Sequence, residues 1–314
     1  MKLDKALYGC MESAALWHEN LSSTLKDLGY ERNKYELCVH NKVSNGTQCT
    51  VAVHVDDLII TSASQCMIDG LCDGLKARYG EITRHDGPVL NYSGMVFDMS
   101  VIGEVRMTMK GLTDDIRMYA GVLGRARSPA TNGLFENRAE VELVPEPVRG
   151  WFHSVVAKFS YLAKRAEPEC LTAVAYLATR VTRCNTDDVA KLKRLLKYVS
   201  DTRERGVVLR PGSMGICVRV FIDASYGVHA DGKSHTGSCV VIGDVGAVHC
   251  KSSKQSIVTK SSTEAELVAL SDSANQGLYT RNYLLSQGYA MVPMIIYQDN
   301  TSCIALAERG RLGA

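Results

Sequence analysis

The sequence predicts an α/β protein, and three observations carry that reading. Residues 216–299 run strand, strand, strand, helix, strand, and a further helix begins near 300. Three helical patterns fill 151–200. Near the N-terminus, CTVAVHV and LIITS flank two adjacent aspartates, Asp56 and Asp57, as two apolar strands around a polar break. Strands that alternate with or precede helices form layered α/β architectures.

Taken in order, residues 12–29 carry helical periodicity. Leu16, Leu21, Leu25 and Leu28 form a broad apolar stripe, and Gly29 is the stop. Residues 35–43 read as a strand, and Asn45-Gly46 is a strong hairpin signal. A helix follows over 66–79. Two short strands flank Gly103 within 92–110, and 120–150 reads as a loop-rich connection. Helices are expected at 151–165, 170–182 and 187–200. The last has Asp at its start and Lys/Arg along one face, as dipole and amphipathicity favour. Arg210-Pro211-Gly212-Ser213 is a turn cluster and marks a domain boundary, dividing the chain into 1–210 and 215–314. Beyond it come strands 216–225, 237–242 and 245–251, a long helix at 262–286, and the strand 294–299.

Composition narrows the class. The 314 residues are 46% hydrophobic and 22% charged, which is globular. A net charge of +2 means that any polyanion site must be built locally. The 11 cysteines are scattered and form no C-x-x-C pair, so a zinc ribbon or disulfide framework is not expected and a reducing compartment is. The N-terminus lacks the apolar core of a signal peptide, and no apolar run approaches the roughly 20 residues that span a bilayer. The expectation is a soluble intracellular protein, cytoplasmic or nuclear, not secreted and without a membrane partner. The eight histidines show no H-E-x-x-H spacing, which argues against a zinc hydrolase. His229 and His235 are expected on a surface loop, and Trp17 and Trp151 in the core.

Two sets of carboxylates carry chemistry. Adjacent Asp56 and Asp57 repel when both are ionised, and a divalent cation removes the conflict. Mg²⁺ prefers one or two carboxylates plus substrate phosphates. A solvated turn is the plain alternative. The second set is Asp223 in VFIDAS, Glu266 early in the long helix, and Asp299 ending MIIYQD. Strand ends and a helix start can converge on one edge, and such carboxylates form a two-metal phosphodiesterase site. Ser261 and Glu264 match a capping box, which favours a structural role for Glu264, and Glu266 lies two residues on, on a different face of the helix. Lys251, Lys254 and Lys260 flank this site, and Lys191 and Arg194 lie on the basic helix. Either group could hold nucleic-acid phosphates or be a solvated face.

These residues resemble the Pol polyprotein of copia-type LTR retrotransposons. VAVHVDDLII is similar to that family's Y-V-D-D hairpin, with His54 in the place of Tyr. LDKALYGCMESAALWHENLSSTLKDLGY (3–30), NYSGMVFDM (91–99), FHSVVAKFSYLAKRAEPE (152–169) and KLKRLLKYVSDTRERGVVL (191–209) resemble further family segments in the same order. In the third of these the family's Gly is Ala157, and its R-P-D is Glu167-Pro168-Glu169. FIDASYG, KSHTGSCVVI, VHCKSSKQSIVTKSSTEAELVAL and IIYQDNTSCIALA are similar to its RNase H domain. The second Asp of that domain's D-A-D corresponds to Ser225 or Tyr226.

The resemblance implies a palm fragment and thumb-like helices of a reverse transcriptase over 1–210, then an RNase H-like domain over 215–314. It implies Asp56 as a catalytic metal ligand, Asp57 as its partner, and Asp223, Glu266 and Asp299 as catalytic metal ligands, with Mg²⁺ or Mn²⁺ as cofactor. The implied partners are an RNA–DNA hybrid or template/primer, with dNTPs in the full-length parent. The family's virus-like particle fits a cytoplasmic location. The family's upstream Asp and fingers, and a C-terminal H-I-D carboxylate, have no counterpart between Met1 and Ala314. Polymerisation is therefore expected of a longer parent, and hybrid cleavage of this chain. The alternative is an inactive remnant with at most nucleic-acid binding. A small-molecule hydrolase or metal module has only the carboxylates in its favour.

Overall fold

The computed structural model describes residues 9–136, 141–212 and 215–310. Residues 3–8 of the LDKALYG stretch and Ser213 of the turn cluster lie outside them. The chain forms two compact units, one of residues 1–87 with 279–291 and one of 88–278 with 292–314. The mixture of helices and sheets is the predicted α/β class.

In the first unit, α1 (Met11–Asp27) leads to a four-stranded antiparallel sheet in the order β1-β2-β3-β4. The strands are β1 (Glu31–Arg32), β2 (Val39–Ser44), β3 (Thr47–His54) and β4 (Asp57–Ser62), followed by α2 (Gln65–Tyr79). Leu21, Leu25, Val51, Leu71 and Leu75 form the core, with Trp17 packed against it. Leu16, expected on the α1 stripe, is 54% exposed. Its five-residue spacing to Leu21 turns it off the face, and Trp17, four residues before Leu21, takes the inward position. The strand expected from residue 35 starts later. Asn33 Oδ1 accepts from the amides of Tyr35 and Glu36, which bends the chain before β2. The β2–β3 hairpin turns at Asn45 and Gly46, both with positive φ, as the dipeptide predicts. Residues 279–291 join this unit, where Asn33 Nδ2 donates to Ser286 Oγ.

The second unit begins with β5 (Val89–Tyr92), β6 (Met95–Asp98) and β7 (Val105–Thr108), a meander that β8 (Val207–Leu209) completes. β5 lies before the strands expected within 92–110: Ser93 and Gly94, both with positive φ, turn the chain back between β5 and β6. The helix α3 (Lys110–Ala120) has no counterpart among the sequence-based expectations. Its buried Thr113 and Ile116 give it an inner face one turn long. α4 (Glu146–Ala163), α5 (Leu171–Ala178) and α6 (Thr186–Thr202) pack around Phe152, Phe159, Leu162, Leu177, Leu192 and Leu195. Asn185 and Asp188 cap α6 reciprocally, and Arg180 Nε donates to Asp188 Oδ2 at 3.0 Å inside the core. Trp151 packs against this core.

A third sheet has the order β11-β10-β9-β12. It is built of β9 (Val218–Ser225), β10 (His235–Ile242), β11 (Ala247–Lys254) and β12 (Met294–Tyr297). β9, β10 and β11 are antiparallel, and β12 runs parallel to β9. The long helix α7 (Ser262–Ser286) connects β11 to β12, and α8 (Thr301–Arg309) follows. β9 alternates: Val218, Val220 and Ile222 are buried, while Phe221 and Asp223 face out.

Candidate functional site

Sheet register decides where the second set of carboxylates lies. β9 and β12 are parallel with Phe221 opposite Tyr297, so Asp223 and Asp299 each stand two residues further on, at adjacent strand ends. Ligands of open α/β sheets bind outside the carboxyl ends of strands. Glu266 comes from the second turn of α7. Two contacts fix that helix against the sheet. Buried Gln255 donates to Thr236 Oγ1 at 3.1 Å and to Ala265 O at 2.9 Å, tying the end of the β10–β11 hairpin to the helix start. Further along, Gly277 lies so close to β9 that a Cβ there would meet Val220 Cγ2 at 2.5 Å. Fully buried Ala265 and Ala269 keep the same face small.

The result is one acidic cluster. One carboxylate oxygen from each of Asp223, Glu266 and Asp299 lies within 4.8 Å of the others. Glu266 is 5% exposed, and its two oxygens are held separately. Oε1 accepts from the Ala224 amide at 3.1 Å, and Oε2 accepts from Gln298 Nε2 at 3.0 Å. Burial pushes the Glu266 carboxyl above its usual range. The two hydrogen bonds oppose that, and the charges of Asp223 and Asp299 add to it. Gln298 has no periodic or motif signal of its own. Its adjacency to Asp299 was the one available hint. Glu264 has the capping role expected of it: its amide donates to Ser261 Oγ, and its Oε2 accepts from the Lys260 amide.

The cluster borders a cleft of about 730 Å³, in whose wall Asp223 and Asp299 sit beside Lys251, Thr172, Phe221 and Tyr297. The two aromatic rings stack with centroids 4.6 Å apart. Of the other basic candidates, Lys254 pairs with Asp231 at 2.7 Å, and Lys260 is exposed. Lys191 Nζ donates to Glu136 O at 2.6 Å and lies over the Tyr176 ring. Burial lowers its pKa. Arg194 donates to Ser128 Oγ.

The expectation of a surface loop for His229 and His235 is overturned. Both are buried, and His235 lies in β10. His235 Nδ1 is 3.0 Å from His229 Nε2, and His235 Nε2 is 2.7 Å from Ser252 Oγ. Phe135 packs against both rings. Hydrogen bonds at both nitrogens let a neutral imidazole go inside.

Asp56 and Asp57 stand at the tip of the β3–β4 hairpin. His54 pairs with Asp57, leaving Val55 and Asp56 as a two-residue loop. Both aspartates are exposed, and among the described residues no third His, Cys, Asp or Glu forms a ligand group with them. Val55 has φ +56°, a conformation that β-branched residues rarely adopt. Trp17 Nε1 donates to Val55 O at 2.7 Å and holds the turn. Two like charges side by side are thus accommodated by a solvated, tightly held tip, not by a sheet interior.

Residues 1–110 match the family profile described as reverse transcriptase (RNA-dependent DNA polymerase). A putative transposon Ty5-1 protein of Saccharomyces cerevisiae is 23% identical over 85% of this chain and 86% of its own length. The retrovirus-related Pol polyprotein from transposon RE2 of Arabidopsis thaliana is 23% identical over 97% of the chain. The transposon Ty1-BR Gag-Pol polyprotein of S. cerevisiae is 25% identical over 87%. Residues 1–110 are thus similar to a reverse transcriptase, and the relatives that cover most of the chain are transposon proteins. It spans 21% and 16% of the two Pol polyproteins, against 86% of the Ty5-1 protein. The reverse transcriptase match includes the Asp56–Asp57 hairpin, and the three-carboxylate cluster lies beyond it. Among the described residues no helix is long and apolar enough to cross a membrane.

Proposed function

We propose that residues 215–314 form an RNase H-like module that hydrolyses the RNA strand of RNA–DNA hybrids, and that 1–210 is the reverse transcriptase part of the same Pol chain. The observation that carries the reading is the convergence of Asp223, Glu266 and Asp299 within 4.8 Å at the strand ends. The donor set fits a hard divalent cation such as Mg²⁺ or Mn²⁺: it offers only carboxylate oxygens, and their mutual repulsion is relieved by positive charge. Such an ion, held by these three residues, would supply Lewis-acid polarisation of a phosphodiester and a more acidic water.

The chain's own groups do the rest. The Ala224 amide and Gln298 fix the Glu266 carboxylate, so its oxygens need no reorganisation when phosphate arrives. Asp223 and Asp299 leave their carboxylates accessible on the cleft side. Lys251, Lys254 and Lys260 are proposed to hold hybrid phosphates near the cluster, and Lys191 and Arg194 to act further along. Asp56 and Asp57 are proposed as metal ligands for nucleotidyl transfer with template, primer and dNTPs in a longer parent.

The test is cleavage of a labelled RNA–DNA hybrid in Mg²⁺ by the chain and by Asp223→Asn and Glu266→Gln. Cleavage lost in both variants supports the assignment. Cleavage that survives both changes refutes the assignment to these carboxylates, and an inactive parent chain refutes the activity and leaves the alternative of an inactive remnant.

A further inference from the structure

The hairpin of β10 and β11 places Cys239 directly opposite Cys250. Their sulfurs are 3.2 Å apart, and both line the cleft that holds Asp223. Directly opposed residues of an antiparallel pair have Cα atoms about 4.5–5.5 Å apart. That falls inside the roughly 4.4–6.8 Å range over which a disulfide closes without backbone movement. Neither residue is fully buried and both line the cleft, which gives a small reagent a route to the pair.

We propose that Cys239 and Cys250 form a thiol–disulfide exchange site, which a low-molecular-weight disulfide such as oxidised glutathione converts reversibly into an intrachain cystine. The two thiols differ. The hydrogen bond from Cys250 holds the Cys239 thiol below its ordinary range, and the same bond together with burial pushes Cys250 up. Cys239 is therefore the entering nucleophile, since the thiolate is the attacking form. Its sulfur displaces one glutathione thiolate and forms a mixed disulfide. The Cys250 sulfur then attacks the Cys239 sulfur, forms the intrachain bond and releases the second glutathione. The two protein thiol protons end on the two glutathione molecules, and the protein loses two electrons. The neighbouring sulfur makes the second step intramolecular, which is what separates this pair from a lone exposed thiol. The site stands on strand register and does not depend on the hybrid-cleavage reading.

The test uses the full chain in mixtures of oxidised and reduced glutathione, followed by alkylation with N-ethylmaleimide and tryptic digestion. Cleavage after Lys233 and Lys251 leaves both cysteines on one peptide, 234–251. The expected result is that this peptide accumulates unalkylated and lighter by two hydrogens, and that dithiothreitol restores it. Exposed Cys38 and Cys66 should stop at mixed glutathione adducts. Cys250→Ser should trap a glutathione adduct on Cys239, with an unchanged circular dichroism spectrum confirming the fold. A peptide that stays doubly alkylated while Cys38 reacts overturns the proposal. So does an equal disulfide yield in concentrated urea, because the folded hairpin would then contribute nothing.

Discussion

Replacing Asp299 by Asn removes one charge from the cluster and leaves its shape almost unchanged. Asp299 lies within 4.8 Å of both other carboxylate oxygens. Two unit charges at that separation repel by about 1 kcal/mol in bulk water and about 3.5 kcal/mol at an effective dielectric near 20. Asp299 is exposed, so the lower figure applies, and two such pairs give roughly 2 kcal/mol. Asp299→Asn should therefore raise the melting temperature in metal-free, low-salt buffer, by roughly 4–8 °C at about 2–4 °C per kcal/mol. With Mg²⁺ the order should reverse. A cation at 100 times its Kd adds about 2.7 kcal/mol to a chain that binds it, and the variant should lose most of that gain. Calorimetry of both proteins with EDTA and with Mg²⁺ checks the pair of signs. A variant that melts at or below the parent without metal refutes the repulsion argument. One that keeps the full Mg²⁺ shift refutes Asp299 as a ligand.

Other outcomes follow from the same geometry. Buried His40 and His235 have pKa values pushed down to about 4 from 6.5, chiefly by burial. The unfolded chain binds more protons below pH 6.5, so the neutral forms stabilise fully above that pH and the contribution fades as pH falls toward 4. Urea unfolding at pH 7 and 4.5 should differ by about 2.5 kcal/mol for each histidine, and His40→Met should flatten the dependence of the first unit. Gly277→Ala drives a Cβ into Val220 and should destabilise by about 1 kcal/mol, since overpacking of about 1–3 kcal/mol outweighs the helix-propensity gain of about 1. A stabilised variant would mean that α7 sits further from β9. Val55→Asn should stabilise by about 1 kcal/mol, because Asn tolerates the left-handed conformation that Val resists. An unchanged denaturation midpoint would show that the turn carries no strain.

The parts legible in the sequence are those where local signals and tertiary placement agree. α7 is an uninterrupted helical pattern behind a capping box, and the structure has it at 262–286 as expected. β9 alternates cleanly because one face is buried and the other open. What was not legible depends on partners distant in sequence. α3 buries only Thr113 and Ile116, too short an inner stripe to show as periodicity. His229 and His235 read as surface residues because imidazole is polar. Their burial rests on Ser252 and Phe135, which no spacing rule links to them. Lys191 and Arg194 look like a basic face on the helical wheel. In the fold both donate to groups far away in sequence, Glu136 and Ser128.

The two acidic sites differ in how they are supported, and that difference bears on function. Asp56 and Asp57 are neighbours in sequence, so the chain alone sets their closeness, and the tip that carries them is solvated. Water screens their repulsion, and no folding energy need be spent on keeping them together. Asp223, Glu266 and Asp299 come from β9, α7 and the segment just past β12, separated by more than thirty residues at each step. Their meeting requires parallel pairing of β9 with β12, the Gln255 anchor and the glycine contact at Gly277. Glu266 is in addition buried and raised in pKa beside two other acids. A fold gathers like charges against their repulsion when a cation or a developing charge compensates for it. For that reason the metal titration belongs first on the second unit, where loss of the compensating ion has a stability signature that a solvated turn does not provide.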